Sequence, residues 1–293
     1  ILKSRFYLQA MLKIFHKVFP IFDFLYIFQT LEYNSIDFLK WFIKNPLQRN
    51  LQKKHKLVWT NKAILILVVS RVILLITSIF GSIFLGSIYY FLLFVILLTQ
   101  ISPIFLVIAK FLIWPLEIYQ KNKILGAAKQ KITDMDKLKV VAITGSFGKT
   151  STKDILYTLL LKKYRVVKTP KSFNTPLGIS QTILTDVKEN SEVFIAEVGA
   201  YRRGEIENIT KLIRPTIGLI TSITPQHLEK FGSIENIAQA KFELALGLKE
   251  SGKIILNKNY KELVSFSYRA KCKVVFYGTS DSEFKVEDIK DGL

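Results

Sequence analysis

The length of 293 residues leaves room for about two domains. Hydrophobic residues make up 49 % of the chain beside a formal net charge of +19, which excludes one uniform soluble globule and indicates membrane segments next to a basic domain. The basic residues cluster beside apolar segments rather than among aromatic stacking platforms, which argues against nucleic acid as a partner, and the single Cys272 excludes an internal disulfide.

Residues 1–62 form a basic, aromatic-rich region that we expect to lie close to a membrane. Its second half contains no acid between residues 44 and 62, and this places it on the cytoplasmic side. The cations there are Lys44, Arg49, Lys53, Lys54, Lys56 and Lys62. The apolar run at 18–31 is short and contains Pro20 and Asp23, so we expect an interfacial or re-entrant helix, with a true span as the alternative.

Residues 63–116 predict a transmembrane hairpin, because Arg71 and Lys110 are the only charges in a stretch long enough for two spans of about 20–25 residues. We place the spans at 63–84 and 88–113, with a far-side turn at 81–87. Lysines 121, 123, 129 and 131 follow directly, so both flanks are basic and both should be cytoplasmic. Arg71 either has a function inside the first span or, more simply, snorkels or packs against the partner helix.

A basic linker at 117–137 leads to strands that alternate with helices over 138–293. The predicted strands are 139–144, 165–168, 192–197, 216–222, 253–256 and 273–276. The predicted helices are 149–163, 176–186, 203–213, 233–249 and 259–270. This alternation predicts an α/β fold with a doubly wound, mainly parallel sheet, in which ligands bind beyond the carboxyl ends of the strands.

The first predicted strand breaks into glycines followed by a Lys-Thr pair, which is typical of a strand, a phosphate-binding loop and a helix. Gly145 and Gly148 allow the backbone to turn tightly and approach an anion at the start of the helix. Lys149 would neutralise the β- and γ-phosphates of a nucleotide, and Thr150 would offer its hydroxyl to Mg²⁺. Ile143 stands where the first glycine of the full motif belongs.

Three further polar residues outside the phosphate loop are candidates for the same site. Glu197 closes an apolar strand, where it can bind the Mg²⁺ of a nucleotide or be an ordinary solvated acid. His227 follows the next strand, and Lys241 lies within a predicted helix. Read alone, the histidine is a structural residue and the lysine part of a solvated face.

Taken together, these motifs resemble the Mur ligase family, the ATP-dependent amide-bond ligases that build the peptidoglycan stem peptide. The family's phosphate loop also lacks the first glycine. The resemblance covers about 138–260 and is carried by segments 144–151, 172–178, 197–200, 204–206, 227–233 and 257–259. Asn174-Thr175-Pro176 departs from the Asn-Asn-acid version expected at that point.

The resemblance implies a set of site residues. Those implied to bind ATP are Thr144, Gly145, Ser146, Phe147, Gly148, Lys149, Thr150, Ser151, Asn174 and Asn257. Those implied to bind Mg²⁺ are Thr150, Glu197, His227 and Lys241, the last through carbamylation of its amine. Lys149, His227 and Lys241 are the implied catalytic residues. The implied reaction activates a carboxylate as an acyl phosphate, which the incoming amine then attacks.

The implied substrates are a UDP-linked muramoyl tripeptide and D-alanyl-D-alanine, handled by a multi-pass protein of the cytoplasmic membrane whose ATP-binding domain, 138–293, lies in the cytoplasm. The membrane region stands where the family has its UDP-sugar-binding domain, and the C-terminal domain should begin near or after residue 293, so we expect a fragment. One alternative is a Mur-type ligase for another amino acid or polymer. The other is a non-catalytic nucleotide-binding scaffold. The fold of a scaffold would not require five polar site residues together, namely Lys149, Thr150, Glu197, His227 and Lys241.

Overall fold

The computed structural model describes residues 21–45, 56–171, 173–200, 202–225, 228–279 and 282–285. They divide into two compact units, with the boundary between Tyr119 and Gln120. Three of the predicted cytoplasmic cations, Arg49, Lys53 and Lys54, lie outside the described residues, and so does the predicted site residue His227.

The first unit is helical. Its helices are α1 (Ile21–Thr30), α2 (Ser35–Lys44), α3 (Asn61–Phe84), α4 (Tyr89–Gln100) and the first part of α5 (Ser102–Thr133). Thr60 caps α3 by accepting a hydrogen bond from the Ala63 N–H at 3.1 Å, which satisfies one of the free donors at the helix start. Aromatic side chains hold α1 to α2, and Phe28 stacks on Phe38 with ring centroids 4.5 Å apart.

The helix predicted at 63–84 is present as α3, whereas the helix predicted at 88–113 is not continuous. Helix α3 has 24 residues, and in the described part of the chain α3 and α5 are the two helices long and apolar enough to cross a membrane. The second span, predicted at 88–113, is broken at Ile101 into α4 and α5. Pro103 lies in the first turn of α5 and has no N–H for the carbonyl of Thr99, so the hydrogen-bond pattern of α4 cannot continue through it.

The predicted linker is also helical for most of its length. Helix α5 continues to Thr133, and Ala128 and Ile132 are buried in the hydrophobic core of the second unit. The lysines of this stretch occupy the exposed sides of the helix and make its composition resemble that of a linker. The second unit therefore begins with a helix that packs against its core.

The second unit is an α/β domain with seven parallel strands in the order β2-β3-β1-β4-β5-β6-β7, which confirms the predicted fold class. The strands are β1 (Lys139–Thr144), β2 (Val166–Lys168), β3 (Val193–Glu197), β4 (Ile217–Ile220), β5 (Lys253–Asn257), β6 (Lys273–Gly278) and β7 (Phe284–Lys285). The short β7 was not predicted. Strand β1 lies between β3 and β4, so the loops after these three strands meet at one edge of the sheet.

Helices cover both faces of the sheet, and alternate residues of β1 enter two different cores. Val140 and Ala142 belong to one buried cluster, and Val141 and Ile143 belong to the other. The helices are α6 (Lys149–Leu160), α7 (Pro176–Thr185), α8 (Glu205–Ile213), α9 (Leu228–Phe231), α10 (Ile234–Leu246) and α11 (Lys261–Phe266), and a 3₁₀ turn at Ser267–Arg269 completes the predicted 259–270 segment. Doubly wound sheets of this kind bind ligands where such strand ends converge.

Candidate functional site

The loop between β1 and α6 has the backbone that its glycines predict. Gly145 has φ +153° and Gly148 has φ +78°, a region that residues with a Cβ rarely adopt. A Cβ on Gly145 would lie 1.9 Å from the Thr221 Oγ1 atom. The loop therefore needs glycine at this position both for its conformation and for its contact with the end of β4.

Two hydroxyl residues after β4 hold the loop in place. The Phe147 N–H donates to Ser222 Oγ at 2.7 Å, and Thr221 Oγ1 donates to the Phe147 carbonyl at 2.6 Å. Sequence reasoning missed both residues, although two small hydroxyl side chains directly after a buried strand are a signal that could have been used. They make the loop a rigid part of the sheet edge.

Lys149 lies folded over its own loop. Its Nζ atom donates to the Gly145 carbonyl at 2.7 Å and to the Ser146 carbonyl at 3.1 Å. Burial lowers the pKa of this ammonium below its usual value, and the negative charge of Glu197 works in the opposite direction. The cation stays at the mouth of the loop, where a phosphate would sit.

Glu197, at the end of β3, is buried and receives three donors. Its Oε2 atom accepts from Thr150 Oγ1 at 2.9 Å and from Lys153 Nζ at 2.9 Å. Its Oε1 atom has a longer contact of 3.5 Å with Asn174 Nδ2. The structure thus brings together the predicted residues Thr150, Asn174 and Glu197, and it adds Lys153, which sequence reasoning missed.

Lys241 does not lie on a solvated face. It projects from α10 with 6 % of its surface exposed, and it makes no hydrogen bond or ion pair with the described residues. Burial, and to a lesser extent the charge of Lys149, lowers the pKa of Lys241 to about 8. A substantial fraction of this amine is therefore neutral near pH 8, as nucleophilic amine chemistry requires.

Most of the predicted site residues line one cavity of about 360 Å³ beside the loop. They are Ser146, Phe147, Gly148, Lys149, Thr150, Ser151, Asn174, Glu197 and Lys241, joined by Gly199 and Ala200. Thr144 is buried beneath the loop. Asn257 lies behind it and donates from Nδ2 to the Thr221 carbonyl at 3.1 Å, so it supports the loop from outside the cavity.

The oxygen atoms of the site fit a magnesium ion. The Thr150 hydroxyl and the Glu197 carboxylate both lie at the cavity, joined by the hydrogen bond between Oγ1 and Oε2, and both are of the hard oxygen type that Mg²⁺ prefers. The described residues contain no group of three or more His, Cys, Asp or Glu that could hold a metal ion. A hydroxyl and one carboxylate suit a cation whose remaining ligands are phosphate oxygens and water.

A glycine loop between a parallel strand and a helix, with a lysine, a hydroxyl and a strand-end carboxylate around it, defines a phosphate-loop nucleotide-binding domain. The Mur ligase middle domain family matches residues 143–292, which is half of the chain. The chain belongs to the Mur ligase family.

Similar proteins are UDP-N-acetylmuramoyl-tripeptide–D-alanyl-D-alanine ligases. The Bacillus subtilis enzyme is 37 % identical over 152 residues, covering 52 % of this chain and 32 % of the relative. The Mycobacterium tuberculosis enzyme is 36 % identical over 138 residues, covering 47 % of this chain and 27 % of the relative. This chain therefore spans about a third of the length of these relatives.

Solved structures agree with the sequence relatives. MurF from Thermotoga maritima in complex with ADP has a TM-score of 0.54 and 32 % identity, covering 57 % of this chain and 38 % of that one. MurF from Acinetobacter baumannii has a TM-score of 0.52 and 26 % identity, covering 55 % of this chain and 35 % of that one.

Proposed function

We propose that this chain is part of a membrane-anchored, ATP-dependent ligase that joins D-alanyl-D-alanine to a UDP-linked muramoyl tripeptide. The observation that carries the proposal is the cavity in which Lys149, Thr150, Glu197 and Lys241 meet around a phosphate loop. The names of the related ligases support the two peptide substrates, and the ADP held by one related structure supports ATP as the third.

The reaction follows from the chemistry of a carboxylate, which is a poor electrophile. Transfer of the γ-phosphoryl group of ATP to the substrate carboxylate gives an acyl phosphate and ADP. The amine of the second substrate attacks the acyl carbon, and the tetrahedral intermediate expels phosphate and loses a proton to form the amide. No protein nucleophile is required, so the protein acts by positioning and by stabilising charge.

The phosphate loop and four of the polar residues that line the cavity, Lys149, Thr150, Glu197 and Lys241, have roles in this scheme. The loop N–H groups and the start of α6 bind phosphate oxygens. Lys149 leaves the carbonyls of its own loop and neutralises the β- and γ-phosphates. Thr150 and Glu197 would hold a Mg²⁺ ion, which when bound spreads the negative charge of the transferred group. His227 and a carbamylated Lys241 are proposed to supply ligands for a second ion.

The surface of the first unit supports membrane anchoring. One helix, α3, exposes ten large apolar side chains, far more than a water-facing helix carries. They are Ile64, Leu65, Val68, Val72, Leu75, Ile76, Ile79, Phe80, Ile83 and Phe84. We infer that this surface faces lipid and that α3 and the apolar first part of α5 are the two spans.

Two spans return the chain to its starting side, so we expect Lys56 and Lys129 to be cytoplasmic. Both side chains are exposed, and a Cys272→Ser background would allow a single cysteine to be placed at either position. A membrane-impermeant thiol reagent added to intact cells should label neither variant. It should label both after the cell membrane has been permeabilised. Labelling of the two positions from opposite sides of the membrane would contradict a hairpin.

The proposed activity predicts phosphate release that depends on all three substrates. The full-length protein, purified with its membrane region, is mixed with ATP, Mg²⁺, UDP-linked muramoyl tripeptide and D-alanyl-D-alanine, and phosphate and the peptide product are measured. We expect both to appear together and to stop when either peptide substrate is omitted. Ligation of a different amine alone would establish the alternative ligase, and nucleotide binding without turnover would establish the scaffold.

A further inference from the structure

Lys153 is a buried charge that the proposed reaction does not use. It lies on α6 one turn after Lys149, and its Nζ atom donates to Glu197 Oε2 at 2.9 Å and to the main-chain carbonyl of Lys171. The side chains of this ion pair are 0 % and 2 % exposed. The ammonium therefore has no access to water and depends on these two acceptors.

A second ion pair on the same helix gives a comparison. Asp154, the next residue along α6, pairs with Lys168 at 2.7 Å, but these side chains are 50 % and 30 % exposed. An exposed pair of this kind contributes little, because water screens it. In a buried pair, loss of one partner leaves an uncompensated charge in the interior, so the two lysines should respond very differently to substitution.

The contacts of Lys153 determine how the carboxylate of Glu197 is oriented. Lys153 and Thr150 both donate to Oε2, whereas Oε1 has, among the described residues, only the 3.5 Å contact with Asn174. Two donors on one oxygen fix the rotation of the carboxylate about its last bond. The bond to Lys171, whose φ is +42°, also ties the turn before Asn174 to the same ammonium.

We propose that Lys153 is a positioning residue that holds the Glu197 carboxylate in the orientation in which it receives the divalent cation of a bound nucleotide. The inference rests on the proposed function for the nature of the ligand. It acts through Glu197, since Lys153 is absent from the cavity lining. One ammonium thus joins α6, the end of β3 and the main chain at Lys171.

The first test measures thermal unfolding of the full-length protein for Lys153→Met, Glu197→Gln and the double variant. We expect Lys153→Met to lower the melting temperature by on the order of 10 °C, and the added Glu197→Gln to recover much of that loss, because it removes the unpaired charge. Lys168→Met, the matched control, should change it little. Equal effects of Lys153→Met with and without Glu197→Gln would overturn the proposal.

The second test titrates Mg²⁺ while following the binding of a fluorescent ATP analogue. Loss of a group that orients a metal ligand weakens metal binding, so Lys153→Met should raise the Mg²⁺ concentration at half-maximal binding about 10-fold or more. Charge repulsion alone predicts the opposite, because removing a nearby ammonium would favour a cation. Lys153→Arg should lie between wild type and Lys153→Met, and Lys168→Met should match wild type.

The direction of the change decides the inference. An unchanged or lowered Mg²⁺ requirement in Lys153→Met would overturn it, and if that variant does not fold, Lys153→Arg is judged by the same criterion. Failure of wild type to bind the nucleotide analogue would refute the proposed function instead. In that case the melting temperatures still establish or refute the link between Lys153 and Glu197.

Discussion

Lys149→Ala is expected to abolish ATP-dependent ligation by the full-length protein. The substitution removes the cation that faces the transferred phosphoryl group, and loss of one such stabiliser typically costs about 10²–10³-fold in rate. It also removes the two hydrogen bonds to Gly145 and Ser146. Ligation and nucleotide affinity are measured together, because this lysine would contribute to both.

A control is needed because the loss of Lys149 also removes two hydrogen bonds within the loop. Lys162→Ala alters an exposed lysine just beyond the end of the same helix and should leave ligation unchanged. Thermal unfolding of Lys149→Ala should stay close to that of wild type, since Thr221 and Ser222 continue to hold the loop. Undiminished ligation by Lys149→Ala would mean that the loop serves only the fold.

Lys241→Ala is the second large effect that we expect, with a loss on the order of 10²-fold or more in ligation rate. A carbamylated Lys241 would supply an anion to the cavity, and its removal would leave the transferred group less well stabilised. The environment suits this modification, because the amine is buried, has no partner among the described residues and has its pKa lowered to about 8. Carbon dioxide reacts with the neutral amine.

Added anions and stability measurements separate this role from an effect on folding. Bicarbonate should raise the activity of wild type that has been depleted of carbon dioxide, and acetate should partly restore Lys241→Ala by filling the vacated space. Without carbon dioxide, Lys241→Met should unfold at the same temperature as wild type or higher, because a buried amine that has no partner among the described residues is costly. Full activity in Lys241→Ala would exclude a metal-ligand role, and Lys249→Ala serves as the exposed control.

Much of the α/β domain could be predicted because its signals are local. Apolar runs of β-branched residues identified six of the seven strands to within two residues, and the glycines and the Lys-Thr pair identified the loop. The rule that parallel strands end at one edge then placed Thr150 near Glu197, and the two side chains lie 2.9 Å apart. The metal-binding roles of His227 and Lys241 stay predictions.

What could not be predicted depends on contacts between distant residues. Lys153 looks like any helical lysine until the end of β3 brings Glu197 against it. The helix within the predicted linker was not recognised because only two of the linker's residues, Ala128 and Ile132, are buried in the core. Two buried residues give too weak an apolar pattern to indicate a helix. The break at Ile101 lies beside Gln100, Ser102 and Pro103, an interruption too short for average hydropathy over a span-length window to detect.

The position of β1 in the middle of the sheet has a consequence for biogenesis. Its neighbours β3 and β4 come later in the chain, and Thr221, which pins the phosphate loop, lies 77 residues after Thr144. At typical rates of synthesis, β1 waits roughly 4–15 s for these partners with its apolar side chains unpaired. A ribosome-bound chain should therefore acquire nucleotide binding only after residue 224 has emerged, and within the α/β domain β1 needs protection from aggregation until then.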